Sequence, residues 1–379
     1  MNVVSRQIET SIKQKVDYKK AIVLLGPRQV GKTTLMEKIA TELDTNYLKI
    51  DGDDPAIRQT WDNPTKQYLL NLLGSNKVLL IDEAQRIRNI GLSVKMILDA
   101  KLKIQVFITG SSALDLASDI KEPLTGRKWE FFLFPFSFNE MKKSTSFLEE
   151  SLLLNHRLVM GMYPEVVLNK NADKTALIQL AGSYLYKDIL EKGGIQRPDV
   201  LLKILQALAW QLGNEVSYNE IARLVEVDKN TVINYIDLLE KAFVIFRFSP
   251  LTRNLRNEIS SNRKIYFYDN GIRNAIINQL APIESRNDVG VLWENYMISE
   301  RKKLLAYHDF YGTTYFWRSR TSEIDYIEEI DGSFYSYEFK WNEKSKPRFP
   351  DLFLTSYKPK INEVIHRKNY YEWLTKYPY

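Results

Sequence analysis

The run Gly26-Pro27-Arg28-Gln29-Val30-Gly31-Lys32-Thr33 sets two glycines, a lysine and a hydroxyl at the spacing that a chain of phosphates requires. The backbone of Gly26, Gln29, Val30, Gly31 and Thr34 is expected to turn its amides toward phosphate oxygens, aided by the positive end of the helix that opens at Thr33. Lys32 would reach the β and γ phosphates, and Thr33 would offer its hydroxyl to magnesium, so the ligand implied is ATP with Mg²⁺. An ordinary glycine-rich turn is the alternative. The flanks oppose it, because a buried-type strand precedes the motif and a helical pattern follows. About fifty residues on, the apolar run Val78-Leu79-Leu80-Ile81 ends in Asp82 and Glu83. Asp82 at a strand tip can hold magnesium through water, and Glu83 can polarise the water that attacks the γ phosphate. The tip of the next apolar run carries Thr109-Gly110-Ser111-Ser112. Ser111 there either positions water and senses the γ phosphate or caps a helix. Arg127, on a loop with Gly126, either reaches a transition-state phosphate in its own chain or a neighbouring subunit, or makes a surface salt bridge.

A second set of acids lies near the C-terminus. Asp325, twelve intervening residues, then Glu338-Phe339-Lys340 reproduces the acid, acid-x-lysine signature of restriction-like nucleases, with Ile324 where a proline often precedes the first acid. Such a site uses Asp325 and Glu338 to fix magnesium and Lys340 to orient or deprotonate water against a phosphodiester. A strand period of two puts Ser336, Glu338 and Lys340 on one face, with Tyr335, Tyr337, Phe339 and Trp341 on the other. Glu323 and Asp325 share a face of the preceding strand, and Asp331-Gly332 turns that strand into a hairpin. Glu294, on the helix before, matches an extra acid of such folds. The competing reading is a pair of cross-strand salt bridges on an exposed sheet face.

Between these sets, YNEIARLVE and KNTVINYIDLLEKAF have helix-turn-helix spacing, with Asp228 placed to cap the second helix. Lys229, Asn230, Thr231 and Asn234 fall at the end of that helix suited to base or phosphate contact. The strands VIFRFS and KIYFYD bracket a polar loop with Arg253, Arg256 and Arg263, as in the wing of a winged helix. DNA is the partner these arginines favour, and protein binding or simple packing is the alternative.

The elements that must position these groups follow from the hydrophobic pattern. AIVLLG (21–26), NYLKID (46–51), KVLLID (77–82) and IQVFIT (104–109) are too continuously apolar to alternate, as strands buried on both faces are, and helical stretches separate them. The pattern and the motifs together predict an α/β fold in four parts. Residues 1–145 form a P-loop parallel-sheet ATPase core, 146–215 a helical lid or connector, 216–275 a winged helix-turn-helix, and 276–379 a restriction-nuclease-like α/β domain. A length of 379 residues suits several domains, and 44% apolar with 26% charged residues is ordinary globular composition. The absence of cysteine excludes disulfides, a thiol nucleophile and cysteine-zinc sites, which fits a reducing, cytoplasmic setting. The polar start MNVVSRQIETSIKQK lacks a signal core, and no run approaches the ~18 apolar residues of a spanning helix. The net charge of +6 is slight and diffuse, a weak argument for a polyanion. His156, His308 and His366 lack metal-ligand spacing, and Tyr184, Tyr186 and Trp210 read as core residues of apolar helices.

Over essentially its whole length the chain resembles bacterial and archaeal predicted ATPases of the AAA superfamily that carry a C-terminal domain of unknown function. The matching pieces are GPRQVGKTTL (26–35), LLIDEAQ (79–85), ITGSSALDL (108–116), LTGRKWEFFLFPFSFNE (124–140), GMYPEVV (161–167) and KIYFYDNGIRNAI (264–276). The resemblance implies an ATPase core, a winged-helix region and a C-terminal part similar to restriction-type nuclease folds. The expectation is an ATP-hydrolysing, DNA-associated protein whose nucleotide state repositions its helix-turn-helix and nuclease-like parts, with self-association open. The rival is a nucleotide-dependent switch or scaffold that binds protein partners through an inactive C-terminal fold.

Overall fold

Three of the four apolar runs become strands buried on both faces, while the run 46–51 gives an edge strand buried only at Ile50, which corrects its expected burial; in the computed structural model the four join one parallel sheet. The structure describes residues 4–111, 123–169, 174–182, 197–252, 263–345 and 347–376. Two compact units result: the first takes residues up to 136 with 241–243, the second most of the chain from 137 onward.

In the first unit, β1 (Ala21–Leu25), β2 (Leu48–Asp51), β3 (Val78–Asp82), β4 (Gln105–Gly110) and β5 (Lys128–Phe132) pair in the order β2-β3-β4-β1-β5, all parallel. Every residue of β1, β3 and β4 is buried. The strand β5 was not expected from the apolar pattern. Its Lys-Trp-Glu-Phe-Phe sequence alternates as a half-exposed edge strand does, so a search for continuous apolar runs passes over it. The helix Lys32–Leu43 buries Leu35, Met36, Ile39 and Ala40, the three- and four-residue stripe that faces a core.

The second unit opens with helices. Gly161 has φ +78°, and a Cβ there would lie 2.0 Å from Asp269 Oδ1. The room goes to the Asp269 carboxylate, which accepts the backbone N–H of Met162 at 2.6 Å and of Ile272 at 3.1 Å, the second as cap of the helix Asn270–Ile276. Asn274 Nδ2 donates to the carbonyls of Leu158 and Val159. Two of the quoted segments, GMYPEVV and KIYFYDNGIRNAI, thus interlock through backbone polar groups. The helix Pro198–Trp210 buries Val200, Leu201, Ile204, Leu205 and Leu208. Trp210 falls off that stripe and is 61% exposed, which corrects its assignment to the core. Tyr184 and Tyr186 lie outside the described residues.

The helices Tyr218–Leu224 and Lys229–Lys241 follow, then β7 (Ile245–Phe248) and β8 (Arg263–Phe267), with the short β6 (Glu215–Val216) before them. The three strands form an antiparallel sheet in the order β6-β8-β7. Asp228 caps the second helix, accepting Thr231 N–H at 2.9 Å and the Thr231 hydroxyl at 2.5 Å. Arg253 and Arg256 lie outside the described residues, while Arg263 opens β8.

After the helix Val289–Tyr307 come β9 (Thr313–Arg318), β10 (Glu323–Ile330), β11 (Ser333–Phe339) and β12 (Ile361–Ile365), paired in the order β12-β11-β10-β9. β9, β10 and β11 run antiparallel, and β12 joins β11 in parallel. Asp331 and Gly332 have φ of 49° and 71°, the positive pair that a two-residue hairpin turn demands. The register of β10 against β9 shifts between Ile324 and Ile327, so Asp325 sits at a bulge.

Candidate functional site

Leu25 delivers the chain to Gly26 at the carboxyl edge of the parallel sheet. A Cβ on Gly26 would lie 2.0 Å from the Leu133 carbonyl oxygen, so only glycine passes. Gln29 and Gly31 take φ of 59° and 93°, the left-handed values that turn successive amides into an anion nest. Lys32 is buried, its Nζ donating to the carbonyls of Gly26 at 2.9 Å and Pro27 at 2.7 Å. The Thr33 hydroxyl donates to Asp82 Oδ1 at 3.1 Å and Oδ2 at 2.9 Å, which joins the two residues expected at magnesium. Their donors are a hydroxyl and a carboxylate, hard oxygens of the kind Mg²⁺ takes. Thr109 Oγ1 also donates to Asp82 Oδ1.

Glu83 follows in the left-handed region, at φ 46°. Its Oε2 accepts Gln85 Nε2 at 2.5 Å and Ser111 Oγ at 3.3 Å, and Gln85 Nε2 also donates to Ser111 Oγ at 2.9 Å. Ser111 is therefore brought to Glu83. Its alternative as a helix cap concerns a segment outside the described residues, as does Ser112.

Arg127 is not brought to this edge. Its carbonyl accepts Ala21 N–H at 2.9 Å, at the amino end of β1, and its Nε pairs with Asp99 Oδ1 at 3.1 Å near the surface. A strand rises about 3.3 Å per residue, so the five residues of β1 separate Arg127 from the phosphate loop by roughly 17 Å. The parallel register of β1 with β5 thus corrects the expectation of an arginine acting within its own chain.

Residues outside the motifs complete the site. Arg6, nearly buried, donates to the Val30 carbonyl at 2.6 Å and to the Phe134 carbonyl at 2.6 Å, and lies over the Phe136 ring. It braces the phosphate loop from a position too remote in sequence for motif spacing to reveal. Gln85 was visible only as the last letter of LLIDEAQ.

In the second unit the predicted acids do meet. Lys340 Nζ stands 2.7 Å from Glu338 Oε2 and 3.2 Å from Asp325 Oδ2, and Phe339 N–H donates to Asp325 Oδ2 at 2.8 Å. Asp325 and Glu338 are buried, so these pairs do not lie on an exposed sheet face. Burial, then the Asp325 charge, push the Glu338 carboxyl up to about 8 against the pull of Lys340. Burial works against the Lys340 ammonium, and the two carboxylates outweigh it, holding its pKa above the ordinary lysine value.

Glu294 joins the same neighbourhood. Its Oε1 accepts Tyr266 Oη at 2.5 Å and Lys264 Nζ at 3.2 Å, and Lys264 also pairs with Glu323. Burial pushes the Glu294 carboxyl up to about 6, opposed by Lys264. Lys264 and Tyr266, on β8, were missed because their partners come from distant elements. Among the described residues no three acids or histidines are gathered as a metal site. Asp325 and Glu338 therefore offer oxygen ligands that suit magnesium in kind, two in number.

Residues 18–142 match the family model described as an AAA domain. Residues 151–282 and 289–376 match two models described as domains of unknown function, DUF8612 and DUF4143. The chain thus contains a segment similar to AAA domains, followed by segments similar to two domains of unknown function, and its first unit has the five-stranded parallel sheet of P-loop ATPase folds. An uncharacterized protein of Mycobacterium tuberculosis is 26% identical over 324 residues, covering 84% of this chain and 70% of the relative. One from Methanocaldococcus jannaschii is 26% identical over 291 residues, 70% of this chain and 64% of that protein. Among solved structures, the Thermotoga maritima RuvB Holliday junction branch migration motor overlaps at 18% identity and a TM-score of 0.33, covering 64% of this chain and 87% of that one. So slight an overlap carries no argument about function. Among the described residues no helix is long and apolar enough to cross a membrane.

Proposed function

We propose that the protein hydrolyses ATP with magnesium in the first unit and couples that cycle to DNA. The observation that carries the reading is the convergence of Lys32, Thr33, Asp82, Glu83 and Ser111 at the carboxyl edge of one parallel sheet, where such sheets bind ligands. The backbone of Gly26, Gln29, Val30, Gly31 and Thr34 holds the phosphates, Thr33 and Asp82 hold Mg²⁺, and Glu83 takes the proton of the attacking water. The proposed division keeps residues 1–145 as the ATPase core, 146–215 as connector, 216–275 as winged helix-turn-helix and 276–379 as nuclease-like domain. DNA association is supported by the exposed Lys229, Asn230 and Asn234 on the second helix; Thr231 is engaged by Asp228. Oligomers in which Arg127 serves a neighbour's nucleotide, and a cytoplasmic location, belong to the same reading. ATPase assays with and without duplex and single-stranded DNA test it. Stimulated turnover supports the coupling, and turnover indifferent to both DNA forms refutes it.

The C-terminal site is proposed as a Mg²⁺-dependent phosphodiester site of Asp325, Glu338 and Lys340. One observation favours the rival, a switch or scaffold with an inactive fold: Lys340 already compensates both carboxylates, and no third acid joins them as a metal ligand among the described residues. Plasmid nicking in Mg²⁺ or Mn²⁺ separates the two.

A further inference from the structure

We propose that Gln85 is a positioning residue for ATP hydrolysis: its side-chain amide fixes one oxygen of Glu83 and ties it to Ser111, which leaves the other oxygen to face the attacking water. The proposal rests on the ATPase reading of the first unit and adds a residue to it.

The geometry forms a closed ring of three groups. A carboxylate can only accept, so the Gln85 nitrogen, not its oxygen, must face Glu83, and the orientation of the amide is set by chemistry. One hydrogen of that nitrogen goes to Glu83 Oε2 at 2.5 Å, the other to Ser111 Oγ at 2.9 Å. Ser111 in turn donates to the same Glu83 oxygen at 3.3 Å. Both donors fall on Oε2, and among the described residues none falls on Oε1. A base needs this arrangement, with one oxygen anchored and the other open to water.

The segment bearing Gln85 is held stiff. Glu83 turns the chain at positive φ into the short 3₁₀ turn Ala84–Arg86, closed by Arg86 N–H to the Glu83 carbonyl at 3.0 Å. Ala84 and Ile87 are fully buried, and Arg86 pairs with Asp53 at 2.6 Å. A Cβ on Gly52 would lie 2.4 Å from the Glu83 carbonyl oxygen, so β2 closes on this turn from the other side. Gln85 is itself nearly buried, which makes its hydrogen bonds strong relative to exposed ones. Ser111 stands at the end of β4 and Glu83 at the end of β3, adjacent parallel strands. Gln85 thus joins the strand tip expected to meet the γ phosphate to the group that activates water. When water attacks, the bond from the γ phosphorus to the ADP oxygen breaks, and the water proton passes to Glu83 Oε1.

The test compares wild type with Gln85→Met, which keeps length and removes both donors, and with Gln85→Asn, which keeps an amide that is too short. Losing a hydrogen bond to a charged group predicts a fall in kcat of roughly 10- to 100-fold in each, with ATP affinity by calorimetry unchanged. In a Glu83→Gln background, Gln85→Met should cost nothing further, because Gln85 acts through Glu83. Trapping of ADP with aluminium fluoride, which reads the same geometry without turnover, should weaken in parallel. Wild-type kcat in both variants, or an equal further loss in the Glu83→Gln background, overturns the role of Gln85 while leaving the ATPase reading in place. A wild-type protein that binds ATP but neither hydrolyses it nor traps the fluoride overturns the ATPase reading, and the role of Gln85 with it.

Discussion

Lys32 and Glu83 make opposite uses of charge. The Lys32 ammonium donates to two loop carbonyls, which hold it against the loop. Lys32→Ala is expected to weaken ATP binding severely, since the phosphates lose their point-charge partner while the loop keeps its shape. Titration calorimetry checks this, and an unchanged dissociation constant would remove Lys32 from the site. Glu83→Gln should keep ATP and lose turnover, because an amide fills the space without accepting a proton. Retained ATP with little ADP formed is the expected result after incubation with Mg²⁺.

Among the elements, the junction of Gly161 with the helix Asn270–Ile276 shows how strongly a fold can depend on one carboxylate. Asp269 is fully buried, and burial raises its pKa above the ordinary aspartate value against the pull of Lys303 and the backbone donors. A carboxyl whose folded pKa is raised holds its proton more tightly when native. Its contribution is present below the unfolded value of 3.8 and is lost as pH rises through the folded value. Asp269→Asn should flatten the pH dependence of the urea midpoint above about pH 4. Gly161→Ala must place a methyl against that carboxylate at a left-handed φ, and should cost about 2 kcal/mol or more in the same measurement. A loss of only a few tenths would mean that the two segments part easily.

For the whole molecule, the question is whether the nucleotide site is complete in one chain. Arg127 stands at the far edge of its own sheet, so its action on a phosphate requires a second copy. Mixing Lys32→Ala with Arg127→Ala chains should then restore turnover above either alone, since each supplies what the other lacks. No restoration would reduce Arg127 to its surface pair with Asp99. The C-terminal site is tested independently. Nicking that needs Mg²⁺ or Mn²⁺ and disappears in Asp325→Ala, Glu338→Ala and Lys340→Ala identifies one site, with ATP hydrolysis preserved because the phosphate loop belongs to the other unit. Nicking that survives Asp325→Ala would dismiss it.

The phosphate loop, the acid pair at the tip of β3 and the core strands were legible in the sequence because each is local: a glycine pattern, a strand end, a continuous apolar run. Asp228 as a cap and Asp331-Gly332 as a hairpin turn were legible for the same reason. Asp325 and Glu338-Phe339-Lys340 were readable as a spacing across one hairpin, and the sheet register then brought them within ion-pair distance. Tertiary structure alone decided what depends on strand order and direction. Strand β4 inserts between β1 and β3, so Thr109 and Ser111 fall beside Asp82 and Glu83; the parallel pairing of β5 places Arg127 at the opposite edge. Arg6 reaches the phosphate loop, and Lys264 reaches Glu294 and Glu323, across separations in which no residue pattern repeats. A hydrophobic period reports which face of an element is buried, whereas the partner of a buried charge is set only when whole elements pack.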